Sequence, residues 1–177
     1  MSQQRQVLQQ AGTLESNPVR LDAEKAEQVV EALNADLAAT YVLYHQLKKH
    51  HWNVAGPQYR ELHLFLGTAA EDAEENADEL AERIQALGGV PVSGPAAIER
   101  HSPVPFEGDD VYDVRSSLEN DLTAYGDIIE TVSSHIELAE SLGDHATGEL
   151  LRQQLLEIEN YAHEIDHFLA HDSLTMW

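Results

Sequence analysis

The sequence has no cysteine, and this absence excludes disulfides, thiolate metal ligands and thiol nucleophiles together. Basic residues are also scarce, because 10 Lys and Arg oppose 32 Asp and Glu, for a formal net charge of -22. Clustered Lys and Arg are what bind phosphate backbones and anionic surfaces. The composition therefore argues against nucleic acid and anionic membranes as direct partners.

Long apolar segments are missing as well. No run approaches the roughly 18 residues of a membrane span, and the first ten residues, MSQQRQVLQQ, lack the apolar core of a signal peptide. We therefore expect a cytoplasmic protein. Self-repulsion destabilises a chain of this charge, and the Debye length falls to about 3 Å at 1 M salt. The composition thus favours a high-salt, halophilic cytoplasm.

The pattern of apolar residues predicts an all-α fold, because they recur every three or four positions and no strand pattern is present. We predict a flexible tail over 1–21, followed by a single domain over 22–177. Its long helices are expected at about 22–51, 59–88, 109–143 and 144–171, with Asp22 and Asp144 as N-caps. The proline-rich link over 90–108 has room for a short helix near 96–99. Two short links and one long crossover characterise the ferritin-like four-helix bundle.

One group of side chains is suited to metal binding. It consists of the dipeptide His50-His51, then His63, and then Asp78 and Glu82, which lie on an acidic stripe of the second helix. Imidazole and carboxylate without sulfur form the ligand set of iron, manganese or zinc. The alternative is that the stripe is a solvated face and that the histidines are cap or surface residues.

Helix geometry separates this group into two pairs. His63 and Asp78 are fifteen residues apart on one helix, which is about 22 Å at 1.5 Å per residue. They cannot bind one metal ion within one chain. His51 and His63 flank a short turn, whereas Asp78 and Glu82 project together at i and i+4. A two-fold dimer with antiparallel second helices would bring the two pairs face to face, so we predict a site shared between subunits.

These residues resemble a known family. His51-Trp52 followed by Gly56, Leu62-His63, and the segment DELAERI over 78–84 followed by Gly88-Gly89-x-Pro91 are similar to the Dps family of miniferritins. The resemblance covers most of 22–171 and is most specific between His51 and Pro91.

The resemblance implies a function. Members of this family form a hollow cage of twelve subunits with ferroxidase sites at the two-fold interfaces. His51 and His63 would come from one subunit, and Asp78 and Glu82 from its neighbour. Family members oxidise Fe(II), typically with hydrogen peroxide, store the ferric mineral and so protect DNA; dioxygen is the alternative oxidant. Trp52 looks like the aromatic residue beside the family's site, although it could equally be a ring that packs the turn.

Several other residues are weaker candidates. Glu71 and Glu75 extend the acidic stripe and could nucleate ferric oxide, or could belong to a solvated face. Asp144 and Glu149 resemble the acidic residues of the family's three-fold pores, although an N-cap also explains Asp144. A histidine series on the last helix could relay Fe(II) or could be a surface stripe; it consists of His163, His167 and His171.

Two other functions remain open. Glu164-x-x-His167 matches one half of the intrasubunit di-iron motif of larger ferritins and rubrerythrin-like enzymes, but no second Glu-x-x-His is present. The chain could also be a non-catalytic acidic helical protein that binds partners or buffers cations. A native particle of about twelve copies would favour the miniferritin.

The charge balance makes a prediction about DNA. The first 24 residues contain Arg5 and Arg20 but no lysine, so we expect no stable complex with linear duplex DNA near 0.15 M salt. Gel retardation measures this directly. A complex that dissociates steeply as salt is added would contradict the prediction, because it would reveal a basic patch.

Overall fold

The structure, a computed structural model, describes residues 6–170. Its elements in this range are all helical and follow in the order α1 (Ala23–Asn53), α2 (Tyr59–Ala86), α3 (Pro95–His101), α4 (Val114–Leu142) and α5 (His145–Leu169). The predicted all-α four-helix bundle is confirmed, with α3 as a short helix inside the crossover. No helix of the described range is long and apolar enough to cross a membrane.

Side-chain pairs define how the long helices run. On α1 and α4, His50 pairs with Asp121 and Asp36 pairs with His135, so these two helices are antiparallel. The turn between α1 and α2 is short, as is the turn between α4 and α5, so each of these pairs is also antiparallel. The link between α2 and α4 must therefore traverse the length of the bundle.

The core follows the predicted apolar stripes. The apolar residues that recur every three or four positions along α2 are all buried; they are Leu62, Leu66, Ala69, Ala73, Leu80, Ile84 and Leu87. On the other side of this helix the acidic residues Glu71, Glu75, Asp78 and Glu82 are all exposed. The largest fully buried side chains come from all four long helices; they include Leu37, Leu47, Leu66, Leu80, Tyr125, Ile128, Leu151 and Ile165. Burial of this apolar surface is the main stabilising term of the bundle.

Some predicted helix ends are wrong. The helix expected to begin near Asp109 begins at Val114, because Asp113 is the N-cap and its carboxylate accepts from the backbone N–H of Ser116 at 3.0 Å. Asp22 occupies the N-cap position of α1 without a side-chain cap bond. The cap predicted at Asp144 is confirmed. The expected end of the last helix, His171, lies outside the described residues.

A row of polar contacts joins α2 to α5. The Tyr161 hydroxyl donates to Asp72, and Asn76 donates to Glu157 at 2.7 Å. Further along the same two helices, Gln154 donates to Glu79 at 3.0 Å, and the guanidinium of Arg83 donates to Thr147 at 2.8 Å and to Asp144 at 2.6 Å. These rungs fix the antiparallel register of the two helices.

The segment before α1 contacts the end of α2. The Gly88 carbonyl accepts from the Gln9 side chain and from the Glu15 backbone N–H, both at 2.9 Å. Gly88 has φ 85°, and a Cβ there would lie 2.3 Å from the Glu15 carbonyl oxygen, so only glycine fits. Part of the predicted tail over 1–21 is thus hydrogen-bonded to the bundle; its mobility remains a prediction.

A buried charge network ties the crossover to α1 and α4. Glu107, with a side chain 8% exposed, accepts from Lys49 at 2.6 Å and lies 2.6 Å from His50 Nε2. His50 Nδ1 lies 2.9 Å from Asp121. Burial opposes charging of His50, but the hydrogen bonds and charges of Asp121 and Glu107 outweigh it and raise the pKa of the imidazole. Lys49 and His50 thus balance two carboxylates inside the fold.

The network predicts the effect of Glu107→Gln. Burial raises the pKa of Glu107, but Lys49, Asn120 and His50 outweigh it and hold the pKa below 4.5. The substitution leaves the buried Lys49 without a counter-charge and should cost about 3 kcal/mol of unfolding free energy at pH 7. Because the folded pKa is depressed, this stabilisation is present above pH 4.5 and is lost as pH falls through the folded pKa.

Denaturant unfolding of both proteins at several pH values measures this difference. Glu99→Gln is the control, since Glu99 is an exposed carboxylate of α3 in the same crossover. Equal losses for the two variants at pH 7, or a gap that persists below the folded pKa, would show that the network does not stabilise the fold.

Candidate metal centre

Two histidines meet where α1 ends and α2 begins. The His51 and His63 rings stack with centroids 3.8 Å apart and planes 17° apart. His51 Nδ1 lies 2.6 Å from the His63 carbonyl oxygen, and His63 Nδ1 lies 2.8 Å from the His51 carbonyl oxygen. A carbonyl only accepts, so each Nδ1 carries the proton. Each Nε2 therefore keeps a lone pair for a metal, the arrangement seen for oriented histidine ligands.

Neighbouring side chains hold these rings in place. Tyr59, in the first turn of α2, stacks on His63 with centroids 5.1 Å apart. Gly67 lies one turn further along α2, and a Cβ there would come within 3.1 Å of His51 Cε1 and Nδ1. The missing side chain at position 67 therefore lets the His51 ring lie this close to α2.

The two acidic candidates lie elsewhere on α2. Asp78 and Glu82 are exposed on the face that also carries Glu71 and Glu75. Fifteen residues of helix separate His63 from Asp78, about 22 Å. Over residues 6–170 the structure contains no group of three or more His, Asp or Glu placed to hold one metal ion. Within the described residues the histidine pair at the α1–α2 turn and the acidic pair on α2 are therefore separate.

Known proteins with the same helical architecture match this chain. A family model described as a ferritin-like domain matches residues 30–175. The chain is 59% identical over 175 residues to the DNA protection during starvation protein of Halobacterium salinarum, covering 98% of this chain and 96% of the relative. The crystal structure of a Dps homologue from the same species superposes with a TM-score of 0.93 at 58% identity, covering 99% and 98% of the two chains.

The chain belongs to the Dps family. A more distant Dps structure, from Vibrio cholerae, is described as a member of a broad superfamily of ferritin-like diiron-carboxylate proteins. It superposes with a TM-score of 0.83 at 27% identity, covering 89% of this chain and 98% of the other.

The structure distinguishes the adjacent histidines of this Dps-family chain. His50 is 4% exposed and both of its ring nitrogens contact carboxylates of the buried network, whereas the His51 ring turns toward α2. His51 is thus the one of the pair with a nitrogen left to bind metal. Trp52 is 68% exposed, so its ring does not pack the turn within one chain.

The weaker candidates have different surroundings. Both Asp144 oxygens are used within the chain, by the Thr147 backbone and hydroxyl and by Arg83, so the cap explains this residue. Glu149 is exposed and accepts from Gln153. His163 and His167 are exposed with ring centroids 4.4 Å apart, and His171 lies outside the described residues.

The intrasubunit di-iron alternative finds no support in this geometry. Glu164 and His167 are exposed on α5, with open space beside them, and do not face the bundle interior. At the centre of the bundle the described side chains include Tyr125, Tyr161, Thr40 and Asn76, and the one carboxylate that lines this space is Glu157. Such a site needs inward carboxylates from several helices.

Sequence reasoning missed two features near the ligands. Gly67 carried no signal, because a helical glycine reveals its role only when its neighbour is known. Glu107 lies in the proline-rich crossover, where no periodic pattern places a side chain. Its only sequence signal was the adjacent pair of cations at Lys49 and His50, which requires counter-charges if buried.

The Gly67 contact leads to a prediction. In Gly67→Ala the new methyl group should displace the His51 ring by a few tenths of an ångström and weaken its bond to the His63 carbonyl. Loss of such an orienting contact lowers metal affinity, here by about tenfold. Calorimetric titration of the assembled protein with Zn(II) measures the change.

Gly126→Ala is the matched control. Gly126 is also inside a helix, and a Cβ there has no neighbour within 4 Å. Both variants gain up to about 1 kcal/mol of helix propensity, so only the contact differs. Unchanged affinity in Gly67→Ala would mean that the stacked geometry does not govern metal binding.

Proposed function

We propose that this protein is an iron-oxidising and iron-storing miniferritin whose ferroxidase sites lie between subunits. The observation that carries the proposal is the oriented pair of His51 and His63, each with a free Nε2, on a chain whose Asp78 and Glu82 lie about 22 Å along the same helix. The membership of the Dps family supports it.

A two-fold axis converts the two half-sites into complete ones. When two α2 helices pack antiparallel about an axis near residues 70–71, midway between 63 and 78, His63 of one chain lies opposite the partner subunit's Asp78. The same axis repeats this at the other end, so one dimer has two sites. Trp52 and Leu64, which are 68% and 59% exposed beside the histidine pair, would then be covered by the partner.

The ligand set suits iron oxidation. Imidazole nitrogen binds incoming Fe(II), and hard carboxylate oxygen stabilises Fe(III) more than Fe(II). Four protein ligands leave coordination positions open for the oxidant, for which we propose hydrogen peroxide, with dioxygen as the alternative. Iron is the substrate here, since it leaves the site as ferric product.

Storage requires a closed assembly, for which we propose the dodecamer of the family. Glu71 and Glu75, exposed on α2 beside the site, are candidates to nucleate the ferric mineral. Glu149, exposed near the start of α5, is a candidate for the entry pore, and His163 with His167 for a route inward. The native mass of the particle tests the assembly.

We propose that protection of DNA, the role in the name of the Halobacterium relative, is chemical here. Removing Fe(II) and peroxide limits hydroxyl-radical formation without contact with DNA. The chain has a net charge of -22, which repels phosphate. Part of the segment before α1 is also bonded to the bundle, through Gln9 and Glu15 to Gly88. A segment that binds the phosphates of DNA would need clustered lysines.

Mixing subunits tests the shared site. His63→Ala and Asp78→Ala homo-assemblies should each lose most Fe(II) oxidation. When the variants are dissociated and assembled together, a hybrid dimer has both substitutions at one site and none at the other. About a quarter of the sites should then be intact, because half of randomly formed dimers are hybrids. Stopped-flow absorbance of ferric product measures the recovered rate.

The control combines His63→Ala with His51→Ala. These two substitutions fall in the same half-site, so every interface site contains one of them and no activity should return. No recovery with Asp78→Ala would place all ligands in one chain, and recovery in the control would mean that His51 and His63 serve different sites.

A further inference from the structure

A second redox-competent group lies on the other side of α2 from the histidines. The Tyr161 hydroxyl on α5 donates to the Asp72 carboxylate on α2. The Tyr161 ring is nearly parallel to that of Tyr125, with centroids 6.1 Å apart and planes 20° apart, and meets Phe65 edge-on at 5.7 Å. Tyr125 is 1% exposed, so the two rings form the aromatic centre of the bundle.

The bond to Asp72 determines how Tyr161 can be oxidised. A phenol that loses an electron becomes a strong acid, so oxidation near neutral pH is easiest where a base already accepts its proton. Burial, together with the bond to Asp72 and nearby carboxylates, holds the pKa of Tyr161 well above its ordinary value. The proton therefore stays until the electron leaves, and the two then leave together.

The composition makes this tyrosine important. The chain has no cysteine, and both methionines, Met1 and Met176, lie outside the described residues. The most readily oxidised side chains near the proposed ferroxidase site are therefore Trp and Tyr. Trp52 and Tyr59 are nearest, but they are 68% and 47% exposed. Tyr161 differs from them in having a carboxylate partner and a packed aromatic neighbour.

We propose that Tyr161 is a redox-active tyrosine that supplies one electron to peroxide at the ferroxidase site while its phenolic proton passes to the Asp72 carboxylate. This inference rests on the proposed function. When the iron at a site cannot supply both electrons, Tyr161 supplies the second one. Peroxide is then reduced fully to water and no hydroxyl radical is released.

The electron count explains the need. Hydrogen peroxide takes up two electrons and two protons and breaks its O–O bond to form two waters. A site holding one Fe(II) supplies one electron and yields Fe(III). Tyr161 supplies the other, its O–H bond breaks, Asp72 becomes a neutral acid and the phenoxyl radical remains. The two protons that form water come from solvent, so charge and atoms balance.

In this proposal the electron crosses α2. Phe65, which contacts Tyr161, lies two residues after His63, about 3 Å along the axis of α2. A helix with its side chains is about 10–12 Å across, so Tyr161 lies roughly one helix width from the histidine pair. At 100° per residue, Phe65 and Asp72 lie on the face of α2 opposite His63, so the α2 backbone lies between Tyr161 and the histidine pair.

The first experiment uses no iron. The assembled protein is oxidised by a photo-excited ruthenium tris-bipyridine complex with persulfate, and the radicals are trapped by freezing for electron paramagnetic resonance. The tyrosyl signal should be mostly lost in Tyr161→Phe and retained in Tyr41→Phe, a half-buried tyrosine of α1. Asp72→Asn keeps the phenol but removes the base, so its tyrosyl yield should fall. A melting curve like that of wild type would show that this variant is still folded and assembled.

The second experiment uses Fe(II) and hydrogen peroxide. With less than one Fe(II) per site, wild type should give the same signal, and Tyr161→Phe should lose it and release more hydroxyl radical to a spin trap. The proposal is overturned if Tyr161→Phe leaves the tyrosyl signal unchanged or if Asp72→Asn leaves the tyrosyl yield unchanged. The Tyr161–Asp72 bond would then only join α5 to α2. If iron is not oxidised but the ruthenium experiment gives the Tyr161 signal, the proposed function fails and the redox character of Tyr161 stands.

Discussion

The hydrogen bonds that His51 and His63 each make to the other's backbone carbonyl join the end of α1 to the start of α2. Each ring's Nδ1–H is held by a backbone carbonyl and the two rings stack, so both tautomers and both ring planes are fixed. Everything proposed for the site follows from this arrangement. Any carboxylates that share a metal with these nitrogens come from outside this corner of the chain, since the described residues place no third ligand beside them.

The charges inside the fold contrast with those on its surface. Although the chain has a large excess of acids, its buried network sets Lys49 and His50 against Glu107 and Asp121, and its other buried acids, Asp36 and Asp144, face His135 and Arg83. Burial raises the pKa of Asp36 and of Asp121, with their histidine partners opposing the shift. The unbalanced acids are on the surface, where water and salt screen them.

The sequence predicts most of the helices because apolar spacing is a local property. Every residue of the stripe on α2 is buried as predicted, and Asp144 is the cap that its position indicates. Local pattern could not choose between Asp109 and Asp113, since both are acids ahead of an apolar run, and the choice depends on the crossover, whose Glu107 is drawn inward by cations on α1. It named His51 as the candidate ligand but gave no role to His50, because the carboxylate that His50 contacts is 71 residues away.

The polar rungs between α2 and α5 also exclude neighbouring arrangements of the same two helices. If α5 slid by one turn in one direction, Glu157 would leave Asn76 and face Asp72; in the other direction it would face Glu79. Either slip sets carboxylate against carboxylate in a half-buried groove and leaves an amide without its acceptor. The repulsion between carboxylates in the alternatives therefore favours the observed alignment of this helix pair.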